Sequence, residues 1–356
     1  MTRRATIEDV AKAAGVSVAT VSRALRDLPN VAPSTKAKVQ RVAGELDYVV
    51  NPTASRLAFS RGRPEPTEPW RARGAMARSV AVAVPVFDSW YFSKLVAGLE
   101  AVVREAGIEL LLHAISNEEE RCRFLAGRGS WRPRCDGLVM ADLRLYDAEA
   151  DRLAGQGARI VTIGAKTPFF SSIVLDERVA AGEAMKHLVE QGHRRIGFIV
   201  GESHALDFRV PMQRLDGAKA VMQAAGITPD PSLEVSGGFN VAGGREAMAK
   251  MLDLADPPTA VFALSDDMAY GAIDAVRRCG RRVPEDVAVV GFDDNDMAEL
   301  FGLTTVRQDV DQIGATAGRM LVQSLDDRHG GGHIEHICTP TYLVIRSSSM
   351  QGEPRG

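Results

Sequence analysis

Along the first fifty residues apolar positions recur every three or four. After residue 78 they gather into short runs separated by helix-length amphipathic stretches. In TIEDVAKAAGVSVATVSRAL, residues 6–25, Ile7, Val10, Ala11 and Ala14 fall at i, i+3, i+4 and i+7 and predict one helical stripe. Thr6, with an acid three positions on at Asp9, reads as a capping-box start. Gly15 ends the helix, because glycine turns through positive φ without strain. Ser17 caps a second helix that has Val18, Val21 and Leu25 on or near one face. A small residue at Ala11 lets the helices cross closely, which predicts a helix-turn-helix. Ala19, Thr20, Ser22 and Arg23 then point outward. Short side chains allow close approach to base edges, and an arginine can reach a guanine edge or a phosphate. A third helix starts at Pro33, with Val39, Val42, Ala43 and Leu46 as its stripe and Lys36, Lys38 and Arg41 outward.

The second half of the pattern has a different period. SVAVAVPVF, ELLLHAI, GLVMA, RIVTIG, RIGFIV, AVFAL and VAVVGF are apolar runs, each followed by a helix-length stretch. Such alternation predicts βαβ units and parallel sheets covered on both faces. There are too many strands for one modest sheet, so two α/β lobes with a cleft at the carboxyl ends of their strands are expected. The expected fold class is a small all-α helix-turn-helix head plus a bilobed α/β body with two parallel-sheet subdomains. Between them FSRGRPEPTEPWRARGAMAR, residues 59–78, is rich in Pro, Gly and Arg, has no period, and reads as a linker.

Charge sharpens the division. Residues 1–78 hold 14 Lys and Arg against 7 Asp and Glu, whereas the remainder holds 29 against 39. A basic head on an acidic body suggests a polyanion partner for the head alone. With 45% hydrophobic and 25% charged residues, the composition is that of an ordinary globular protein. No run is long and apolar enough for a membrane span, and Met1 to Val10 lacks the apolar core of a signal peptide. Cys122, Cys135, Cys279 and Cys338 are scattered, as expected of reduced thiols in a cytoplasmic protein. No GxGxxG after a strand, Walker loop, GxSxG or HExxH is present, so an enzyme is not expected. His329, His333 and His336 read as an exposed glycine-rich loop, and no metal or cofactor is expected. Asp266-Asp267 and Asp293-Asp294 each follow a strand-like run, where acids accept hydroxyl protons or cap helices.

The head motif, followed by ELDYVVNPTASRLA, HLVEQGHRRIGFIVG, RLDGAKAVMQAAGI, PTAVFALSDDMAYGAIDAV, RVPEDVAVVGFDD and LTTVRQD, resembles bacterial transcription regulators of the lactose/galactose repressor (LacI/GalR) family over nearly the whole chain. The resemblance implies a repressor that binds a pseudo-palindromic operator in double-stranded DNA as a homodimer. It implies control by a small, sugar-like effector bound between the lobes. It assigns DNA contacts to Thr6, Ser17, Val18, Ala19, Thr20, Ser22, Arg23 and Asn30, and to Asn51, Ala54 and Leu57 of a hinge helix. Leu57 would be an apolar wedge in the minor groove. It assigns effector contacts to Tyr91, Phe92, Arg214, Phe239, Ser265, Asp293 and Gln308. The implied domains are residues 1–50 (head), 51–58 (hinge), 59–78 (linker), 79–175 with 309–336 (first lobe), 176–308 with 337–350 (second lobe) and 351–356 (tail).

Five positions depart from the family pattern. Ala32 replaces a capping serine before Pro33, Ser89-Trp90 replaces Asn-Pro, Ser265 replaces an asparagine, and Gly164 stands where several members have an acid. An acid lost at Gly164 points to a less hydroxylated or anionic effector. Rival classes are a sugar-binding receptor without gene regulation and an enzyme on the same α/β body. The basic head argues against the first, and the lack of a nucleophile or acid–base motif argues against the second.

Overall fold

The structure is a computed structural model and describes residues 6–25, 31–46, 78–126, 131–132, 134–201, 209–327 and 333–350. Asn30, Asn51, Ala54, Leu57, His329 and the linker up to Ala77 lie outside the described residues. The chain divides into two units, Met1–Ala75 and Met76–Gly356.

In the first unit α1 (Ile7–Ala14), α2 (Val18–Leu25) and α3 (Pro33–Glu45) enclose a core of Val10, Ala11, Ala14, Val21, Ala24, Val39, Val42 and Ala43. The capping box forms. The Asp9 amide donates to Thr6 Oγ1 at 3.3 Å, and the Thr6 amide donates back to Asp9 Oδ2 at 2.8 Å. Gly15 takes φ 65°, and its amide reaches back to Ala11 and Lys12 carbonyls, which closes α1 and frees the chain to turn. Ala11 is 6% exposed, as required where two helices touch with only a methyl between them. Leu46, expected in the stripe of the third helix, follows the last turn of α3 and is 38% exposed, because the helix ends at Glu45 before that position comes round to the core.

The second unit is built on two six-stranded sheets. Its elements in order are β1 (Ser79–Val84), α4 (Trp90–Glu105), β2 (Glu109–Ala114), α5 (Glu118–Ala126), β3 (Gly137–Ala141), α6 (Asp147–Gly155), β4 (Ile160–Ile163) and β5 (Ser171–Leu175). Then come α7 (Glu177–Glu190), β6 (Ile196–Val200), α8 (Val210–Ala224), β7 (Glu234–Ser236), α9 (Val241–Leu252), β8 (Ala260–Ala263), α10 (Asp266–Arg278), β9 (Ala288–Asp293), α11 (Ala298–Phe301) and β10 (Thr304–Arg307). α12 (Val310–Asp326), β11 (His336–Thr339) and β12 (Tyr342–Val344) complete it.

The first sheet runs β11-β5-β4-β3-β1-β2, with all its pairings parallel. The second runs β12-β10-β9-β8-β6-β7, parallel except where β12 pairs antiparallel with β10. Central strands β1, β3, β8 and β9 are buried throughout, as the uninterrupted apolar runs require. Along β1, Val80, Val82 and Val84 face one core layer while Ala81 and Ala83 face the other, which is the period of two expected of a strand. The edge strands β2 and β7 are partly exposed.

The chain crosses between the sheets after β5, after β10 and after β11. The last crossing corrects the expected boundary. Residues 337–339 belong with the first lobe, because β11 pairs with β5 from His336↔Ser172 through to Thr339↔Leu175. His336 is thus a strand residue with its Nδ1 2.8 Å from Ser172 Oγ, not part of an exposed histidine loop. Among the described residues no group of His, Cys, Asp and Glu is arranged to hold a metal ion, and no helix is long and apolar enough to cross a membrane.

The head's core is small, and small cores tolerate little loss. Val21→Asp places a charge at a fully buried head position. We expect calorimetry of the full chain to show the body's melting transition unchanged while helical signal from the head is lost.

Candidate DNA-reading surface and ligand cleft

On the head, α2 is fixed by Ser17, whose Oγ accepts from the Thr20 amide at 3.1 Å and sits 2.8 Å from Thr20 Oγ1. This cap holds Ser17 and Thr20 at the N-terminal end of α2. Val21 and Ala24 are buried beneath, so Val18, Ala19 and Arg23 stand exposed with Ser22 half-buried beside them. Val18 and Ser22, like Ala19 and Arg23, are four residues apart and therefore stack along one outward face. Thr6 is engaged in the cap of α1 and is exposed at its start. The outward face is compact and low, with a single long cation at one end. Such a surface suits a groove.

In the body, sheets buried on both faces release polar side chains to solvent mainly where strands end. A cavity of about 560 Å³ lies between the lobes, among the carboxyl ends of strands from both sheets. After β1 the chain delivers Trp90, Tyr91 and Phe92 at the start of α4. After β3 it delivers Asp142, after β7 Phe239, after β8 Ser265 and Asp267, and β9 ends at Asp293. Tyr91 and Phe92 pack edge to face at 5.0 Å, and Phe92 also belongs to the first lobe's core. Phe239 takes φ 54° and packs against the second lobe's core while lining the cavity. Ser265 caps α10 by accepting from the Met268 amide at 3.4 Å. Gln308 does not line the cavity. It stands behind the wall and donates from Nε2 to Asp293 Oδ1 at 2.6 Å, because the crossing after β10 turns it toward β9.

Arg214, on α8, is 5% exposed. Its Nε donates to Glu177 Oε2 at 2.7 Å and its Nη1 to the Leu264 carbonyl at 2.8 Å. Its guanidinium lies 3.5 Å from the Phe292 ring centroid. Burial alone would lower the pKa of Arg214, but Glu177 and Asp293 outweigh it and hold the arginine charged. Burial pushes the Asp142 carboxyl up to about 7, helped by the charges of Glu177 and Asp293 and opposed by Arg214 and a hydrogen bond from Tyr91. Asp293 is raised as well, first by burial, and Asp267 likewise. Behind the wall Asp266 accepts from Thr305 Oγ1 at 2.6 Å and from the Asn295 amide at 2.8 Å, which ties α10 to β10. The second acid of the other pair, Asp294, accepts from Arg307 at 2.6 Å. In each pair one acid braces the fold and the other faces the cavity.

The structure gives a reason for the glycine at position 164. Gly164 takes φ 85°, and a Cβ there would overlap Asp142 Oδ1. The carboxylate absent from position 164 is replaced by one entering the same space from β3. Sequence reasoning missed Asp142, Glu177 and Asn295, and named Trp90 only as a departure from the family pattern; all four line the cavity. The signals for Asp142 were an acid directly after GLVMA and a glycine after RIVTI.

The lobes also touch at the cleft rim. Asp296, beyond β9, accepts from the Trp90 indole at 3.3 Å and pairs with Lys94 at 3.0 Å, both on α4 of the other lobe.

A helix-turn-helix head joined to two facing α/β lobes around a polar cavity defines a ligand-responsive DNA-binding regulator. Residues 6–51 match the bacterial regulatory proteins, lacI family, and residues 185–349 match a periplasmic binding protein-like domain. The chain is 30% identical over 350 residues to the HTH-type transcriptional repressor CytR of Escherichia coli K12, covering 97% of this chain and 96% of that one. A solved transcriptional regulator CelR–cellobiose complex is 30% identical with a TM-score of 0.65, covering 97% of this chain and all (100%) of the other. The Lac repressor dimer bound to operator and the anti-inducer ONPF is 25% identical with a TM-score of 0.69, covering 98% of this chain and 100% of that one. This chain belongs to the lacI family of bacterial transcription regulators.

Two outcomes follow from the buried charges. Replacing Arg214 by Leu leaves Glu177 buried without its partner, and removal of one partner of a buried pair costs about 3–5 kcal/mol. A large fall in the body's melting temperature is expected. Asp142 has a folded pKa near 7 against an ordinary carboxyl value near 4, so the folded state binds the extra proton between those limits. Its destabilising effect is absent below about pH 4 and complete above about pH 7. Relative to Asp142→Asn, the wild type is expected to lose stability as pH rises through this window, read by thermal unfolding of both proteins in matched buffers.

Proposed function

We propose that this protein is a repressor that reads an operator with the outward face of α2 and releases or tightens its grip when a small molecule fills the cleft between the lobes. The observation that carries this reading is the pairing, in one chain, of a groove-sized helical face with a polar cavity set between two lobes. In the related CelR structure that fold holds cellobiose, and in the related Lac repressor structure a dimer holds operator. One head covers only a few base pairs, so two copies on a pseudo-palindrome supply the specificity.

In this reading Val18 and Ala19 choose bases, Ser22 and Arg23 contact bases or phosphate, and Ser17 and Thr20 hold the N-terminus of α2 against the backbone. Thr6 adds a contact from the start of α1. Asn30, Asn51, Ala54 and Leu57 complete the surface as read from the family pattern. In the cleft Tyr91, Phe92 and Phe239 supply ring faces, Ser265 and Asp293 accept hydroxyl or amine protons, and Arg214 braces Glu177 and Asp293. Gln308 orients Asp293 from behind. A bound molecule touches both lobes and so competes with the Asp296 rim contact to Trp90 and Lys94 in setting the angle between them. That angle biases operator-competent against incompetent states, a coupling of about 1–3 kcal/mol in typical systems. The protein acts in the cytoplasm, where its operator is.

The test is binding of the purified full chain to fragments of its own genome at several salt concentrations. We expect enrichment of one or a few pseudo-palindromic sites, with affinity falling steeply as salt rises. Arg23→Ala should weaken operator binding by about 1–3 kcal/mol. Exchanging Val18 and Ala19 for other residues should change which sequence is enriched. Equal retention of genomic and random duplex would overturn the proposal.

A further inference from the structure

A second cavity, of about 570 Å³, adjoins the first and has the size of a small-molecule site. Asp142, Glu177 and Val210 line both cavities and so form the partition between them. The first lobe supplies Arg144, Tyr146 and Asp147 after β3 and Lys166 after β4. The second supplies Asp176 and Arg178 at the start of α7, and Arg209 and Gln213 at the start of α8. Leu175, which ends β5, and Cys338, in β11, also line it, so the cavity lies against segments that cross between the lobes.

Most of its charges are already committed. Glu177 accepts from Arg214, Asp176 accepts from the Val179 amide at 3.1 Å, and Asp142 accepts from Tyr91. Arg178 pairs with Asp216 at 2.9 Å, and Arg144 lies over the Tyr146 ring at 4.5 Å. Asp147 sits in the first turn of α6, where the helix's own N-terminal amides offset part of its charge. Two cations are left. Lys166 and Arg209 are exposed, come from opposite lobes, and pair with no acid among the described residues. The first turns of α6, α7 and α8 all border the same space, and α8 has no side-chain cap. Helix starts and unpaired cations around one cavity both favour an anion.

We infer that this second cavity takes a phosphate monoester of a small hydroxylated molecule, with the phosphate between Lys166 of the first lobe and Arg209 of the second. A phosphate carries nearly two charges and three strong acceptor oxygens, so it can accept from both cations and from helix-end amides at once. Gln213 and Asp147 remain for hydroxyl groups, and Leu145 and Val174 for the carbon skeleton. A ligand held in this way ties the lobes together beside their crossings. Because Asp142 and Glu177 face both cavities, filling one changes the affinity of the other, and that coupling is reciprocal. The site stands whether or not the head reads an operator; only its effect on repression rests on that reading.

The experiment titrates the full chain by calorimetry at pH 7.5 with D-glucose 6-phosphate and D-ribose 5-phosphate, each beside its parent sugar. We expect at least one ester to bind about tenfold or more tighter than its parent, since bonds to two cations are worth at least that. The double variant Lys166→Gln with Arg209→Gln should lose this preference. Both side chains are exposed, so its melting temperature is expected to stay at the wild-type value. The comparison of ester with parent sugar needs no variant and stands even if the variant is unstable. Phosphate held by the basic head instead would bind the double variant as tightly as the wild type. That outcome, or esters binding no tighter than their parent sugars, would overturn the inference. Retention of genomic operator is measured on the same preparation. Operator binding without any preference for the esters leaves the regulator reading intact and removes this one.

Discussion

Burial of both faces of each sheet governs the body. A parallel strand packed between helix layers carries mostly apolar side chains, with the few polar ones such as Thr305 hydrogen-bonded inside, so free polar groups emerge mainly where it ends. In this chain the carboxyl ends of two sheets meet across one gap, and there Asp142, Ser265 and Asp293 become available. The cavity is thus a consequence of the core, and its walls are as rigid as the strands that deliver them.

Arg214 turns that scaffold into a specific surface. It neutralises Glu177, stacks on Phe292 and anchors on the Leu264 carbonyl, so the second lobe's wall is assembled around one buried guanidinium. Two of its donors are used internally, so Arg214 is held in place while it lines the cleft. Gln308 and Asn295 play comparable bracing parts behind Asp293 and Asp266. The rim contact of Asp296 with Trp90 and Lys94 is more exposed than these and joins the two lobes directly. A strong interior and a weak rim let the lobes shift as bodies while each keeps its own wall intact.

Much of this architecture is legible in the sequence, because the switch from a helical stripe to uninterrupted strand runs is a local property of the chain. The capping box at Thr6, the turn at Gly15 and the strand runs all depend on neighbours a few residues away. Tyr91, Phe239, Ser265 and Asp293 could be placed by lying just past strand runs within family motifs. Asp142 could not, since its role depends on Gly164, which comes alongside only when β3 pairs with β4. Glu177 depends in the same way on Arg214 two elements later, and Gln308 is turned from the cavity by its bond to Asp293. The expected lobe boundary after residue 336 falls inside β11 for a related reason: four residues pair with β5, and nothing in HICT marks where that partnership stops.

Three crossings of the chain between the sheets have a consequence for how such a protein can diversify. Neither lobe is one continuous stretch, and the last two strands add an edge to each sheet in turn. Recombination that replaced a single lobe would have to splice several separate segments at once, and a frameshift shortly before residue 336 would strip a strand from both. The head, by contrast, lies wholly before the first strand. Ancestral exchange could therefore trade the reader of DNA in one cut, whereas the sensing half is inherited whole and changes its taste only through point substitutions at strand ends.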